Sequence, residues 1–90
     1  MMSRYHSGRR FEYRVKKLLE SHGYLVFRLA GSKPFDLIAL RPGEILFVEC
    51  KKSGYISRTQ MNRLCEMAKR VGAEVKVFRG DEVEQEPHNS

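Results

Sequence analysis

The stretch FDLIALRPGEILFVECKK, residues 35–52, contains two apolar runs joined by the dipeptide Pro42-Gly43. Both runs are rich in the β-branched and aromatic residues that favour strands, and proline followed by glycine is typical of a tight turn. This pattern predicts a β-hairpin.

Three charged residues lie at the end of this hairpin that is far from the turn, namely Asp36, Glu49 and Lys51. Charged groups in apolar strands cost free energy unless something compensates them. A turn of even length pairs Leu40 with Ile45, and it then places Asp36 directly opposite Glu49, with Cβ atoms about 5 Å apart. Because side chains alternate along a strand, Lys51 falls on the same face as Glu49.

Two carboxylates at that distance repel each other, and either a shared proton or a cation between them would relieve the repulsion. Oxygen ligands at this spacing suit Mg²⁺, which commonly takes one or two carboxylates together with substrate phosphate and water. Lys51 could then orient an attacking water and offset charge on the reacting phosphate. The alternative is a strand end that reaches solvent, where an acid–lysine pair is worth less than about 1 kcal/mol. A turn of odd length would also shift the register, so the spacing alone leaves both interpretations open.

The rest of the chain supplies two helices and two more strands. Residues 1–7 are polar and expected to be flexible, and the acidic segment 80–90 is expected to form a tail outside a single domain at 1–79. The further predicted elements are a helix at 9–22 that Gly23 ends, a strand at 24–29, a helix from the N-cap Ser57 to Gly72, and a strand at 73–78. The predicted order is α-β-β-β-α-β, an α/β fold in which helices flank a mixed central sheet.

The second helix carries two local predictions. Ser57 followed three residues later by Gln60 is the pattern of a capping box, in which each side chain bonds the other residue's backbone. Its apolar face is expected to contain Met61, Leu64, Cys65, Ala68 and Val71. Cys65, like Cys50 in the hairpin, is therefore expected to be a reduced and buried packing residue.

Size and composition exclude several classes of protein. Ninety residues with 41% hydrophobic content fit one small folded domain, to whose core a dimer interface would add. No apolar run is long enough to cross a bilayer, and no apolar segment follows the basic N-terminus. We expect a soluble cytoplasmic protein, or one in the host cytoplasm if the source is viral, with no membrane partner and no small-molecule cofactor.

The net charge of +6 understates how basic the domain is, because residues 80–90 contain four acids and no lysine or arginine. Residues 1–79 carry 17 basic and seven acidic side chains, an excess that predicts binding to a polyanion such as nucleic acid. The residues expected to hold phosphates are Arg9, Arg10, Arg14, Lys33, Lys52 and Arg58. A solvated helix face accounts for some of the same charges.

The motif Asp36…Glu49-Cys50-Lys51, with 12 residues between the two acids, resembles the signature of the PD-(D/E)XK nuclease superfamily, although Phe35 stands where the nominal proline would be. More narrowly, the chain resembles the archaeal-type Holliday junction resolvases over about residues 8–79. The matching segments are RRFEYRVKKLLESHGY, GSKPFDLIAL, FVECKKS and RTQMNRL, in that order.

The resemblance implies a divalent-metal site, with Mg²⁺ as the ion and Mn²⁺ as a substitute. Asp36 and Glu49 would bind the ion with the backbone carbonyl of Cys50, and Lys51 would position or activate the water. The further residues that it implies are Glu12, which would complete the metal shell, Ser32, which would contact the scissile phosphate, and Gln60, which would support the site. The alternatives are a favourable first-turn acid for Glu12, loop chemistry for Ser32 and the capping box for Gln60.

The function that follows from the resemblance is a Holliday junction resolvase, a metal-dependent endodeoxyribonuclease that nicks four-way DNA junctions as a homodimer. A restriction- or repair-type nuclease of the same superfamily would share the site and prefer another DNA. A non-catalytic nucleic-acid-binding domain would share only the basic surface. Binding gains nothing from acids that face phosphate, so the set of two acids and a lysine argues against this last alternative.

Overall fold

The computed structural model describes residues 4–80, with side chains from residue 8 onward. Its elements are α1 (Arg4–Ser21), β1 (Leu25–Arg28), β2 (Leu37–Arg41), β3 (Glu44–Lys51), α2 (Arg58–Val71) and β4 (Glu74–Arg79). The predicted order and the predicted class, an α/β fold with a mixed sheet, are confirmed. Apart from Gly80, the acidic segment expected to form a tail lies outside the described residues.

The four strands form one sheet in the order β1-β2-β3-β4. The first three are antiparallel neighbours, whereas β3 and β4 run parallel, because α2 forms the crossover between them. The predicted hairpin register is confirmed, with Leu40 opposite Ile45 and Leu37 opposite Val48.

Helix α1 begins at Arg4, five residues before its expected start, so residues 4–7 are helical rather than flexible. The prediction began the helix at Arg9 because the apolar period begins there. The preceding residues contain no proline, and Gly8 costs only about 1 kcal/mol in a helix, so the helix can continue beyond its apolar face.

The sheet is covered on both faces by apolar side chains. On one face, Phe11, Val15 and Leu19 of α1 pack against the sheet, and the buried strand residues of this cluster are Val26, Leu37, Ala39, Leu46 and Val48. On the other face, Leu64 and Ala68 of α2 pack with Phe35 and Phe47, whose rings stack at 4.3 Å. Because β3 alternates between the two faces, Glu49 follows Phe47 on the α2 face, whereas Cys50 packs on the α1 face.

Helix α2 is capped as predicted at its N-terminus, where the Ser57 side chain accepts a hydrogen bond from the Gln60 backbone N–H at 3.1 Å.

The predicted burial of Cys65 and Val71 was wrong, since both side chains are exposed. Only Leu64 and Ala68 of this helix are buried. Cys65 is rotated about 100° from Leu64, and Val71 lies in the last turn, so the buried stripe is narrower and shorter than the periodicity predicted.

Among residues 4–80, no helix combines the length and the apolar character that crossing a bilayer requires.

Two glycines should respond to alanine in opposite directions. A Cβ atom at Gly80 would collide with the backbone carbonyl oxygen of Lys52, whereas a Cβ atom at Gly8 would meet nothing within 4 Å. We expect Gly80→Ala to lower the free energy of unfolding by about 1–3 kcal/mol through overpacking. Gly8→Ala should raise it by about 0.5–1 kcal/mol, because alanine favours the helix. Urea denaturation measures both, and equal effects would contradict the close approach at Gly80.

Candidate active site

The charged residues of the hairpin meet where β2 and β3 separate. Asp36 lies one residue before β2, and its backbone still bonds both neighbours: its N–H donates to the Val48 carbonyl at 3.0 Å, and its carbonyl accepts from the Leu29 N–H at 3.0 Å. The Asp36 carboxylate accepts a third bond, from the backbone N–H of Cys50 at 2.7 Å. The acid is therefore fixed against the end of β3 by backbone groups on both sides.

Glu49 is buried on the α2 face of the sheet and lies within the electrostatic influence of Asp36. Burial and, after it, the negative charge of Asp36 raise the pKa of Glu49 to about 6. Lys51, whose Nζ atom is 4.0 Å from Glu49 Oε2, opposes this shift in the pKa only in part. The predicted grouping of the two acids and Lys51 at one place agrees with this arrangement.

The side chain of Gln60 does not make the bond to Ser57 that the predicted capping box would require. Its backbone N–H bonds Ser57, but its side-chain amide donates to Glu49 Oε2 at 3.2 Å. The first turn of α2 thus holds the Glu49 carboxylate in place. This contact agrees with the supporting position that the family resemblance implied for Gln60.

Glu12 lies on α1, on the opposite face of the sheet, and two basic residues connect it to the site. Its Oε1 atom accepts a hydrogen bond from Arg28 at 3.0 Å, and its Oε2 atom accepts one from Lys33 at 3.4 Å. Lys33 also pairs with Asp36 at 3.0 Å. Within residues 4–80, no three His, Cys, Asp or Glu side chains are grouped so that they could hold a metal ion. The predicted role of Glu12 in completing the metal shell stays a prediction.

Arg28 is a component of this region that sequence reasoning missed. It was treated only as part of a strand, because nothing in its local sequence distinguishes it from a solvated edge residue. Its contact with Glu12 bridges 16 positions in the chain and depends on how α1 packs beside β1. Only the tertiary arrangement reveals it.

The remaining expected site residues have less specific surroundings. Ser32 lies exposed in the loop before Asp36. The Cys50 thiol is partly buried, and burial raises its pKa, with Asp36, Glu12 and Glu49 adding to the rise. A thiol in such surroundings stays neutral and is a poor metal ligand. The predicted contribution of Cys50 through its backbone carbonyl stays a prediction.

Five of the six expected phosphate-binding residues are exposed, and Lys33 is the exception. The exposed residues are Arg9, Arg10 and Arg14 on α1, Lys52 just after β3, and Arg58 at the start of α2. Lys33 is only 24% exposed at its side chain and is paired with Glu12 and Asp36. It therefore lies within the acidic site in this structure, and its predicted contact with phosphate stays a prediction.

The chemistry of the donor atoms fits a divalent cation. Asp36 and Glu49 offer hard carboxylate oxygens, which are the ligands that Mg²⁺ and Mn²⁺ prefer. Burial and, after it, the Asp36 charge raise the pKa of Glu49, and a divalent cation beside Glu49 would offset both effects. An ammonium group already lies between Glu12 and Asp36, so the site attracts cations.

Comparisons with known proteins give a consistent result. The family model described as "Archaeal holliday junction resolvase (hjc)" matches residues 3–85. A protein of Methanocaldococcus jannaschii named "Crossover junction endodeoxyribonuclease Hjc" is 46% identical over 68 residues, which cover 71% of this chain and 51% of that protein. The chain thus spans about half the length of this curated relative.

Two solved structures are similar in fold. A structure described as Archaeoglobus fulgidus Hjc, a Holliday junction resolvase from an archaeal hyperthermophile, matches with a TM-score of 0.71 and 30% identity, over 81% of this chain and 63% of that chain. A structure described as a VRR_NUC domain matches with a TM-score of 0.59 and 27% identity, over 87% of this chain and 90% of that chain. Both support the assignment of a nuclease-like mixed sheet.

The raised pKa of Glu49 predicts a pH-dependent stability in the absence of divalent metal. Between its ordinary value of 4.5 and about 6, the folded state retains a proton that the unfolded state releases, so folding stability falls as the pH rises through this window. We expect the wild type to lose about 2 kcal/mol relative to Glu49→Gln between pH 4 and pH 7.

The measurement is urea denaturation in EDTA for both proteins across this range. The difference between the two curves isolates Glu49, because all other groups titrate in both proteins. Glu66→Gln, which removes an exposed carboxylate from α2, is the matched control. A difference for Glu49→Gln that stays flat, or that changes in favour of the wild type, would contradict the raised pKa of Glu49.

Proposed function

The chain belongs to the archaeal Holliday junction resolvase family, and from this premise we propose that it is a metal-dependent endodeoxyribonuclease that resolves four-way DNA junctions by phosphodiester hydrolysis. The observation that carries the proposal is the meeting of Asp36, Glu49 and Lys51 at the end of the hairpin, with Glu49 buried and under the influence of the Asp36 charge. A binding surface alone has no use for two buried acids, since carboxylates repel phosphate.

The two acids have complementary roles in the proposal. Asp36 is held by the Cys50 N–H and Glu49 by the Gln60 amide, so both carboxylates keep their orientation before any ligand arrives. Such preorganisation lowers the cost of binding and of reaction. A divalent ion held by these oxygens, Mg²⁺ or its substitute Mn²⁺, would neutralise charge on the phosphate and make water a better nucleophile.

Lys51 is proposed to position the attacking water and to balance negative charge that develops on the phosphate. Its ammonium group is 4.0 Å from Glu49 Oε2, and its side chain is about one-third exposed, at 32%. It can therefore contact a substrate from the solvent side without leaving the acid. Ser32, exposed in the neighbouring loop, is proposed to bond a phosphate oxygen.

The exposed basic residues are proposed to hold the DNA arms on either side of the cleaved bond. Arg10 and Arg14 lie one turn apart on α1, and Lys52 and Arg58 lie just after β3 and at the start of α2. Contacts of this kind go to phosphates and do not depend on the base sequence. Such contacts suit a protein that recognises a branched DNA structure rather than a sequence. The expected substrate is therefore defined by shape.

We further propose that the protein works as a homodimer, because the resolution of a four-way junction needs two symmetric incisions. The edge strand β1 exposes Leu25 (66%) and Phe27 (54%). Leu25 shares a surface depression with Leu40, Ile45 and Gly72. Exposed apolar side chains grouped on an edge strand are typical of an interaction surface.

A second candidate function is cleavage of another DNA by the same site. The similarity to the VRR_NUC domain, which extends over 90% of that chain, supports this second candidate function. The two candidates differ in substrate and not in chemistry, so a direct comparison of DNA structures distinguishes them.

We expect the wild type with Mg²⁺ to introduce paired nicks into a synthetic four-way junction and to leave linear duplex largely intact. Asp36→Asn should lower the cleavage rate by about 100-fold or more, because it removes a charged ligand. Denaturing gels of end-labelled strands measure both rates. Glu66→Gln removes an exposed acid of α2 and should cleave like the wild type.

Each alternative has its own outcome in this experiment. Equal cutting of linear duplex would assign the protein to the second candidate function. Binding of the junction without any cutting would indicate a binding domain. Cutting in EDTA by both wild type and Asp36→Asn would reject the proposed site.

The homodimer can be tested by placing a charge on the exposed face of β1. We expect Phe27→Glu to shift sedimentation from dimer to monomer, because an unpaired charge is costly in an interface. Tyr13→Glu is the matched control, since Tyr13 is 58% exposed on α1, away from this face. Dimers that persist in Phe27→Glu, or a wild type that is monomeric, would contradict the assigned interface.

A further inference from the structure

Lys33 occupies an unusual position for a basic residue of a DNA-binding protein. Its ammonium group is 3.0 Å from Asp36 Oδ1 and 3.4 Å from Glu12 Oε2, so it bridges two acids that come from different parts of the fold. Burial by itself would lower the pKa of Lys33, but the hydrogen bonds and charges of Asp36 and Glu12 outweigh burial and raise the pKa. Lys33 is therefore a firmly protonated cation inside the acidic site.

The acids that Lys33 contacts have their other oxygens occupied by protein groups. Asp36 Oδ2 accepts from the Cys50 N–H at 2.7 Å, and Glu12 Oε1 accepts from Arg28 at 3.0 Å. Lys33 therefore contacts, on each acid, the oxygen opposite to the one that the Cys50 N–H or Arg28 holds. A divalent ion and an ammonium group cannot both lie against Asp36 Oδ1, because like charges at contact distance repel strongly.

We propose that Lys33 is a tethered counter-ion that occupies the Asp36 carboxylate in the metal-free protein and competes with the divalent cation for it. The inference rests on the proposed function, whose metal site it deepens. In the metal-free state, Lys33 holds Asp36 and Glu12 together across two elements of the fold. When a divalent cation enters, Lys33 leaves Asp36.

The loop that carries Lys33 permits this exchange. Ala30, Gly31 and Ser32 are exposed, and Gly31 has a φ angle of 71°, a region that glycine adopts at little cost. A displaced Lys33 would join Ser32 at the surface, where its charge would become available to a DNA phosphate. Metal binding would thus move the positive charge of Lys33 from the empty site, which it stabilises, to the surface, where it can bind the substrate.

The first test measures metal affinity without DNA. Mn²⁺ binding, followed by the loss of the free-ion electron paramagnetic resonance signal, is compared for wild type, Lys33→Met and Lys69→Met, the last a lysine exposed on α2. We expect Lys33→Met to bind Mn²⁺ roughly tenfold more tightly than wild type, because a competing unit charge has been removed. Lys69→Met should bind like wild type.

The outcomes separate this inference from the proposed function. One outcome is that wild type binds Mn²⁺, Asp36→Asn does not, and Lys33→Met binds no more tightly than wild type. This result would overturn the proposed competition by Lys33 and would still support the proposed metal site. Absence of Mn²⁺ binding in every variant would overturn both proposals. Circular dichroism establishes that each variant is folded, and Lys33→Gln replaces Lys33→Met if the latter is not.

The second test follows Lys33 in the wild-type protein. Acetylation of lysines by an N-hydroxysuccinimide ester, quantified by mass spectrometry, should be slow at Lys33 in EDTA and should accelerate several-fold as Mg²⁺ is added. Lys69 in the same molecule should react at a constant rate. In Asp36→Asn, Lys33 has lost its closer partner and should react quickly without metal. Labelling of wild-type Lys33 that does not change with Mg²⁺ would overturn the exchange.

Discussion

The structure depends on the way in which the hairpin ends. Beyond Leu37 and Val48, the pairing of β2 with β3 continues for one more residue, and the Asp36 carboxylate then takes the N–H of Cys50 as its partner. A charged side chain thus replaces a backbone carbonyl at the point where the strands separate. Because charge-assisted hydrogen bonds to backbone N–H groups are strong, an acid can be buried here without loss of the fold. This bond fixes Asp36, and Lys33 pairs with the same carboxylate at 3.0 Å.

The two helices contribute to the site from opposite faces of the same sheet. Helix α2 begins beside Glu49 and holds it through Gln60, whereas α1 brings Glu12 to Lys33 and Arg28. The alternation of β3 makes this possible, since neighbouring residues of one strand reach both faces. The exposed arginines of α1 and the acidic site are therefore built on the same set of elements.

Much of this arrangement could be predicted from the sequence, because it depends on local patterns. The strand period, the turn at Pro42-Gly43 and the N-cap at Ser57 determined the element order and the hairpin register. The start of α1 was predicted too late because helix propensity extends beyond the apolar face. The partners of Gln60, Arg28 and Lys33 could not be predicted, since each depends on how separate elements pack.

The two cysteines differ in a way that has a practical use. Cys50 is partly buried, and its surroundings keep the thiol protonated, whereas Cys65 is exposed on the outer side of α2. Maleimide reagents, which attack thiolates at accessible positions, should therefore modify Cys65 first. The native chain thus offers a convenient attachment point for a fluorophore, on a different element from the acids, through which encounters with DNA could be followed one molecule at a time.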